Sequence, residues 1–406
     1  MNIEKRKKQL DYTKLNIGVE LECFLVRTDS LREISRQGSQ IIFKTLISQF
    51  GWRAHKPHHI DEIHSVSKEI HGEEIIIKID VCYAIFEITT PPMPCLEDLE
   101  RLIHQSLAEL KAILRQYNVM IWPFGVAPAS SGLFKLPFKH REEIIDDLFY
   151  RSLMRLESLP RFCHITAHQV NIDVPLQKLI PAINALYKNL GDIIEQFKNS
   201  PVYIDGRLYL EGRYYFWNDQ SQYLNTNQYN FGAKPIFPQT PFQSLNDFFD
   251  KVWHGEFVFL LRNGLPHIFK DKTTSTHRFL QEKKAQVLDI QDKEILATLE
   301  KEDISLFCAL HWLDFKPHFD LDDSFGLDEF LAYYEEERLD EFFARYCAHA
   351  YLEIRSCSPH FENNAMDIPR YFYKIFQNLD AYIEQSQHIS WKHARLTRDR
   401  AIGYLA

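Results

Sequence analysis

Apolar and polar positions alternate strictly in several short runs of this chain and recur every three or four residues in longer ones. It therefore mixes strands with amphipathic helices. The strand-like runs are 17–26, 74–80, 83–89, 119–125, 164–174 and 350–356. The helix-like runs are 38–50, 95–117, 141–157, 176–198, 326–348 and 367–386. From Leu96 onward, Leu99, Ile103, Leu107 and Leu110 follow at spacings of three and four, which gathers them into one stripe. Pro91, Pro92 and Pro94 break the chain ahead of that helix. The stretch 200–290, rich in Asn, Gln, aromatics and Pro, is read as short strands and loops over a site. No repeat, low-complexity linker or Gly/Ser hinge divides the chain, and 1–406 is taken as a single domain.

Four of the strand-like runs share one pattern, an apolar face backed by a polar one. Residues i and i+2 of a strand lie on the same side. In 17–25, Ile17, Val19, Leu21, Cys23 and Leu25 share the apolar face, and Gly18, Glu20, Glu22 and Phe24 the other. Neighbouring carboxylates repel and raise each other's pKa. A cation between Glu20 and Glu22 relieves this, and magnesium, a hard ion that takes oxygen ligands, suits it; two solvated glutamates on a wet face is the plainer reading. In 80–90, Glu87 stands with Tyr83, Ile85 and Thr89, and Asp80 marks the strand's entrance. A half-buried carboxylate needs a partner, either a metal or a structural arginine. In 165–174, Gln169 and Asn171 put two oxygen donors on the face of Asp173, while His168 falls on the apolar side as a core histidine. In 351–355, Glu353 and Arg355 face away from Leu352 and Ile354, as an ion pair or as a metal ligand beside a phosphate clamp. Together the four runs suggest one sheet with helices on its apolar back and an acid-lined front, the surface that metal-bridged phosphoryl chemistry needs.

Composition narrows the setting. With 406 residues, 45% hydrophobic, 30 Phe and 19 Tyr, most of the chain can fold. A net charge of -9 without a basic stripe argues against a nucleic-acid binder. The basic tail Lys392–Arg400 reads as a solvated helix end. Seven scattered cysteines with no CxxC exclude a disulfide framework or zinc ribbon. Cys163 and Cys357, which flank site strands, read as small core residues. The opening MNIEKRKKQLDYTK lacks an apolar stretch and does not read as a secretory signal. No run approaches the roughly 20 apolar residues of a membrane helix. The expectation is a soluble, cytoplasmic, reduced protein. His55, His58, His59 and His64 match no zinc motif and read as a solvated loop. With 14 glycines and no GxxxxGK[ST] or GxGxxG, a phosphate-cradling loop is absent, so bound ATP would need metal ions and basic side chains.

At these residues the chain resembles the glutamate–cysteine ligases, within the carboxylate–amine ligases related to glutamine synthetase and the guanidino kinases. The matching elements are Gly18-Val-Glu20-Leu-Glu22, Asp80 ahead of Glu87-Ile-Thr-Thr-Pro91, Gln169-Val-Asn171, Asn199-Ser200-Pro201, Arg213 with Trp217, and Leu352-Glu353-Ile-Arg355, all in the family's order. The resemblance covers about 15–360, leaving 361–406 as a C-terminal helical segment. It implies an α+β fold, a largely antiparallel sheet curved into a funnel with helices outside, similar to the glutamine synthetase catalytic fold. It implies Mg2+ (or Mn2+) held among Glu20, Glu22, Asp80, Glu87, Gln169 and Glu353. Arg213 and Arg355 would contact phosphates, and Asn171 and Thr89 would contact substrate or ATP. The implied reaction phosphorylates the γ-carboxyl of glutamate with ATP, after which cysteine displaces phosphate to give γ-glutamylcysteine, a step of glutathione biosynthesis. The partners would be small molecules, not nucleic acid or membrane.

The chain departs from the family's P-x-[VI]-R element at Phe315-Lys-Pro317-His318-Phe319-Asp320, and aromatic residues follow Arg213. These leave open the same chemistry with another amine or acid, a phosphotransferase, or a non-catalytic nucleotide-binding relative.

Overall fold

In the computed structural model, the described residues are 14–56, 62–80, 82–128, 164–204, 206–216, 237–254, 259–263, 265–271, 274–289, 293–309 and 313–403. The chain starts with strand β1 (Ile17–Arg27), helix α1 (Arg36–Phe50), β2 (Arg53–His55), β3 (Ser65–Ile70), β4 (Glu73–Ile79) and β5 (Ile85–Thr89). Helix α2 (Leu96–Gln116), β6 (Val119–Ile121), β7 (His168–Asp173), α3 (Leu176–Lys188), α4 (Leu190–Phe197), β8 (Val202–Ile204) and β9 (Arg207–Tyr209) follow. Next come α5 (Leu245–Trp253), β10 (Phe259–Arg262), β11 (Leu265–Phe269), α6 (Thr276–Glu282), β12 (Lys284–Leu288), β13 (Glu294–Thr298) and α7 (Lys301–Ala309). The chain returns through β14 (Phe315–Leu321), α8 (Leu327–Glu335), α9 (Leu339–Tyr346) and β15 (Cys347–Ile354). It closes with α10 (Asp367–Gln377), α11 (Leu379–Ser386) and α12 (Trp391–Ile402).

One large sheet runs in the order β14-β15-β7-β1-β5-β4-β3-β2, with β6 pairing the far end of β1. Each of these pairings is antiparallel. The α+β class and the antiparallel sheet agree with the sequence. The apolar face of β1 holds Ile17, Val19, Leu21, Cys23 and Leu25, all fully buried. They share a core with Leu99, Ile103, Leu107 and Leu110 of α2, the stripe expected from their spacing. Helix α10 packs against β7 and β1, and α3 against β14 and β15.

Several expected elements are interrupted. The run 176–198 is two helices broken at Asn189, and 367–386 two broken at Asn378. The run 326–348 splits because Glu337 takes φ 56°, a left-handed conformation that ends a helix, and its last residues open β15. The strand expected over 119–125 stops at Ile121, ahead of Pro123. Within 200–290 the chain contributes to a separate sheet, β10-β11-β12-β13, as well as helices α5 and α6. The helix expected over 141–157 lies outside the described residues, as do Cys163, Trp217, His58 and His59.

The basic C-terminal tail is helical but not wholly solvated. Arg398 of α12 is buried, its guanidinium over the rings of Tyr214 and Phe237. Helices α12 and α4 meet backbone to backbone: a Cβ on Gly191 would stand 2.6 Å from the carbonyl carbon of Thr397 and 2.7 Å from the amide nitrogen of Arg398. Gly191→Ala is therefore expected to destabilise the protein by about 1–3 kcal/mol, the usual cost of overpacking. Urea unfolding measures it; an unchanged midpoint would mean that the two helices separate freely.

Candidate active site

Strand register decides which side chains meet. Glu22 lies opposite Glu87, and Glu20 opposite Thr89 on one side and Gln169 on the other. Gly18 pairs with Asn171, Asn171 with Glu353, Glu353 with Lys316, and Glu87 with Lys78. Side chains directly opposite in an antiparallel pair share a face. A row of polar groups thus crosses six strands, from Lys78 on β4 to Lys316 on β14.

The two halves of the row differ in charge. On the β1–β5 side, Glu22, Asp80 and Glu87 bring carboxylate oxygens within 4.8 Å of one another. Glu22 accepts from the Ala167 amide at 2.7 Å and from Gln169 Nε2 at 2.5 Å. Glu87 accepts from Thr89 Oγ1 at 2.6 Å and pairs with Lys78 at 2.8 Å. The partner expected to be arginine or metal thus includes a lysine. Burial, then the charges of Asp80 and Glu87, push Glu22 up to about 8. Burial, then the charge of Glu20, push Glu87 up to about 8, against the pull of Lys78. Gln169 Oε1 is buried and has no hydrogen-bond partner among the described residues. Glu20, less buried, accepts from Asn171 Nδ2 at 3.0 Å.

The β14–β15 side is basic. Glu353 accepts from His318 Nε2 at 2.6 Å, lies 3.2 Å from Arg355 Nε and 3.5 Å from Lys316 Nζ. Burial opposes its ionisation, but Arg355, His318 and Lys316 together hold the carboxyl well below the usual range. Burial also depresses Lys316 and His318. His318 is stacked on Tyr351, with planes 5° apart.

Arg213 stands beside the basic half, and its charge acts on Glu22. It is 3% exposed, and its Nη2 donates to the Arg355 carbonyl at 3.0 Å. Its Nε and Nη1 have no hydrogen-bond partner among the described residues, and the Glu211 carboxylate is 4.0 Å from Nη1. Glu211 is itself held by Ser358 Oγ. Gly125 permits this placement, since a Cβ there would lie 2.8 Å from both Arg213 Cδ and Pro359 Cδ.

The structure therefore brings Glu22, Asp80, Glu87 and Gln169 together, sets Glu20, Thr89 and Asn171 beside them, and gathers Arg355 and Glu353 with Arg213 adjacent. His168 is fully buried on the apolar side, and burial depresses it to about 3, so it stays neutral. Burial pushes the Cys357 thiol up to about 12, consistent with a core residue. His55 is exposed and bonded to Ser67, apart from this row. Lys78, Lys316, His318 and Glu211 were not singled out as site residues from the sequence. Lys78 was the accessible one: Ile76, Lys78 and Asp80 alternate with the buried Ile75, Ile77 and Ile79.

No protein-family model matches the chain, and no curated protein matches its sequence. Among solved structures it is similar to a bifunctional glutathione synthetase from Pasteurella multocida, at 12% identity and a TM-score of 0.47, over 98% of this chain and 43% of that one. This chain thus spans under half of that protein's length. It is similar to the ligase PafA in its complex with the ubiquitin-like protein Pup, at 11% identity and a TM-score of 0.29, over 82% of this chain and 65% of that one. A third likeness is to glutamate–cysteine ligase from Francisella tularensis in complex with AMP, at 10% identity and a TM-score of 0.33, over 96% and 92%.

The titration of the row has a definite sign. Glu22 and Glu87 hold protons up to about pH 8 when folded but ionise near 4.5 ordinarily. Their contribution to stability is complete below the ordinary value and is lost as pH rises through the folded one. Glu353, depressed on folding, runs the other way: its contribution is present above the ordinary value and lost in acid. In metal-free buffer, urea-derived stability should therefore fall between about pH 5 and about pH 8, and Glu22→Gln with Glu87→Gln should flatten that slope. An equal slope in the double variant would separate these two acids from the effect.

Proposed function

We propose that this chain is an ATP-dependent carboxylate–amine ligase, with glutamate and cysteine as the first substrate pair to test. The observation that carries this reading is the division of one sheet face into an acidic half, at Glu22, Asp80 and Glu87, and a basic half, at Lys316, His318 and Arg355, with Arg213 adjacent. ATP-driven activation of a carboxylate needs both. Phosphoryl transfer puts negative charge on oxygens that a cation must offset, and an acyl phosphate needs basic groups along its phosphate.

The acidic half fits a divalent ion. Its donors are hard oxygens, and the buried, unpartnered Gln169 Oε1 adds a neutral one. Glu22, Asp80, Glu87 and Gln169 would hold Mg2+ or Mn2+, with Glu20 beside them. Bound there, the ion supplies positive charge against phosphoryl oxygens. Glu353 sets Arg355, Lys316 and His318 in place, and a metal-binding role would require it to exchange those partners. In the first step a carboxylate oxygen of the substrate attacks the γ-phosphorus of ATP and ADP leaves. In the second an amine nitrogen attacks the acyl carbon, loses a proton and expels phosphate. Arg213 and Arg355 act on the charge that grows on the transferring phosphoryl group. No side chain of the protein has to serve as nucleophile.

A different acid or amine is favoured by one observation. The resembling family's P-x-[VI]-R element falls on Pro317–Asp320 of β14, where no arginine stands, and Lys316 and His318 of that strand are turned toward Glu353. The substrate end can therefore differ while the phosphoryl end is retained.

Purified protein with Mg2+, ATP, glutamate and a panel of amines including cysteine should release ADP and phosphate in equal amounts and form an amide. A phosphorylated product without an amide would reassign it as a phosphotransferase, and binding of an ATP analogue with no turnover under any metal would sink the ligase reading. Glu87→Gln and Arg213→Lys should each lower kcat by at least about 100-fold, in the range seen when a preorganised electrostatic group is removed. Circular dichroism should show both variants folded; near-wild-type turnover in both would place the chemistry elsewhere.

A further inference from the structure

A second group of metal-capable side chains lies away from the central sheet. Asp250 and His254, one helical turn apart at the end of α5, face His277 on α6. One oxygen of Asp250 and one nitrogen from each ring lie within 4.8 Å of one another. Asp250 and His254 are exposed and His277 is half-buried, so an ion could enter from solvent. The imidazoles are already stacked, with centroids 4.3 Å apart and planes 22° apart. Imidazole lone pairs lie in the ring planes, so a shared cation would sit at the edge of the stack, reached by a turn of the exposed His254 ring.

The surroundings hold one ring in place. His277 Nδ1 is hydrogen-bonded to the Tyr334 hydroxyl, which leaves Nε2 for a ligand. Tyr334 is fixed in turn by the Trp253 ring, edge to face at 5.5 Å, and by the Phe330 ring, stacked at 6.4 Å. A second partner on the far nitrogen is the usual way a ligating histidine is oriented. His254 Nδ1 donates to the Asp250 main-chain carbonyl at 2.7 Å and lies 3.1 Å from a carboxylate oxygen of the same residue, which leaves its Nε2 for a ligand.

We propose that Asp250, His254 and His277 form a transition-metal site, selective for zinc-class ions and independent of the oxygen-rich row on the central sheet. Two imidazoles and a carboxylate with an open fourth position are a donor set for zinc or cobalt(II), not for magnesium. The ion would fasten α5, which packs on α9, to α6, which packs on β12 of the separate sheet. Its role would be to clamp that sheet to the main body.

Cobalt(II) tests this directly, because a mixed nitrogen–oxygen site gives visible absorption bands. The full chain titrated with CoCl2 should show such bands at one equivalent, and ZnCl2 should abolish them. His254→Ala and His277→Ala should each remove the bands while leaving circular dichroism unchanged. Tyr334→Phe should weaken binding by about 10–100-fold, the usual effect of losing a second partner. Glu22→Gln with Glu87→Gln should leave the bands intact. The proposal is overturned if no cobalt or zinc binds at tens of micromolar, which would leave an ordinary surface ion pair. It is overturned equally if binding survives both histidine variants, or is lost instead in His55→Ala with His64→Ala.

Discussion

The constraint on which this structure turns is the burial of carboxylates on a sheet whose other face is largely apolar. Glu22 and Glu87 stand opposite each other on β1 and β5, each less than a tenth exposed, with Asp80 beside them. Such a group must be protonated, paired or bound to a cation. Lys78 pairs with Glu87, and Glu22 is held by an amide and Gln169, so the fold compensates part of the cost. The remaining cost falls on Glu22, Asp80 and Glu87 together. Replacing these acids with apolar residues would remove that cost, so their presence points to function, not stability.

Charge along the row is graded by strand position. Because the pairings are antiparallel and residues opposite each other share a face, every second residue of β4, β5, β1, β7, β15 and β14 reaches the same side. The acids cluster near β1 and β5 with Lys78 of β4 beside them, the other cations lie near β14 and β15, and the amides of Gln169 and Asn171 stand between on β7. Each half carries its own ion pairs, Lys78 with Glu87 and Glu353 with Lys316 and Arg355. The acidic end offers carboxylate oxygens and the basic end offers cations.

Much of this was legible from alternation alone. The runs around β1, β5, β7 and β15 announced both their buried backs and their polar fronts, since a period of two leaves no freedom about which residues share a side. Glu20, Glu22, Glu87, Gln169, Asn171 and Glu353 follow from that rule. The order of the strands did not, because nothing local says that β7 lies between β1 and β15. The cations on β4 and β14 were missed for that reason: Lys78 and Lys316 matter only through Glu87 and Glu353, which register sets opposite them. Helix ends at Asn189, Glu337 and Asn378 were unreadable because the apolar period continues through each break.

The C-terminal helices show why residues beyond 360, where the family resemblance stops, still bear on the site. Arg398 of α12 lies over the Tyr214 ring, and the Tyr214 hydroxyl donates to Asp314 at 2.6 Å. The Asp314 carbonyl accepts from the Arg355 amide at 2.8 Å. Burial pushes the Asp314 carboxyl up to about 6, with Tyr214, Arg398 and Arg213 drawing it back. Tyr214 follows Arg213 directly, so the same buried network fixes the backbone of both arginines in the row. Arg213 has two nitrogens without a hydrogen-bond partner among the described residues, and its neighbour Tyr214 is held by this network. That support includes a helix whose charge pattern alone suggested a solvated end, since a basic helix end looks the same in sequence whether its arginines face water or a tyrosine ring.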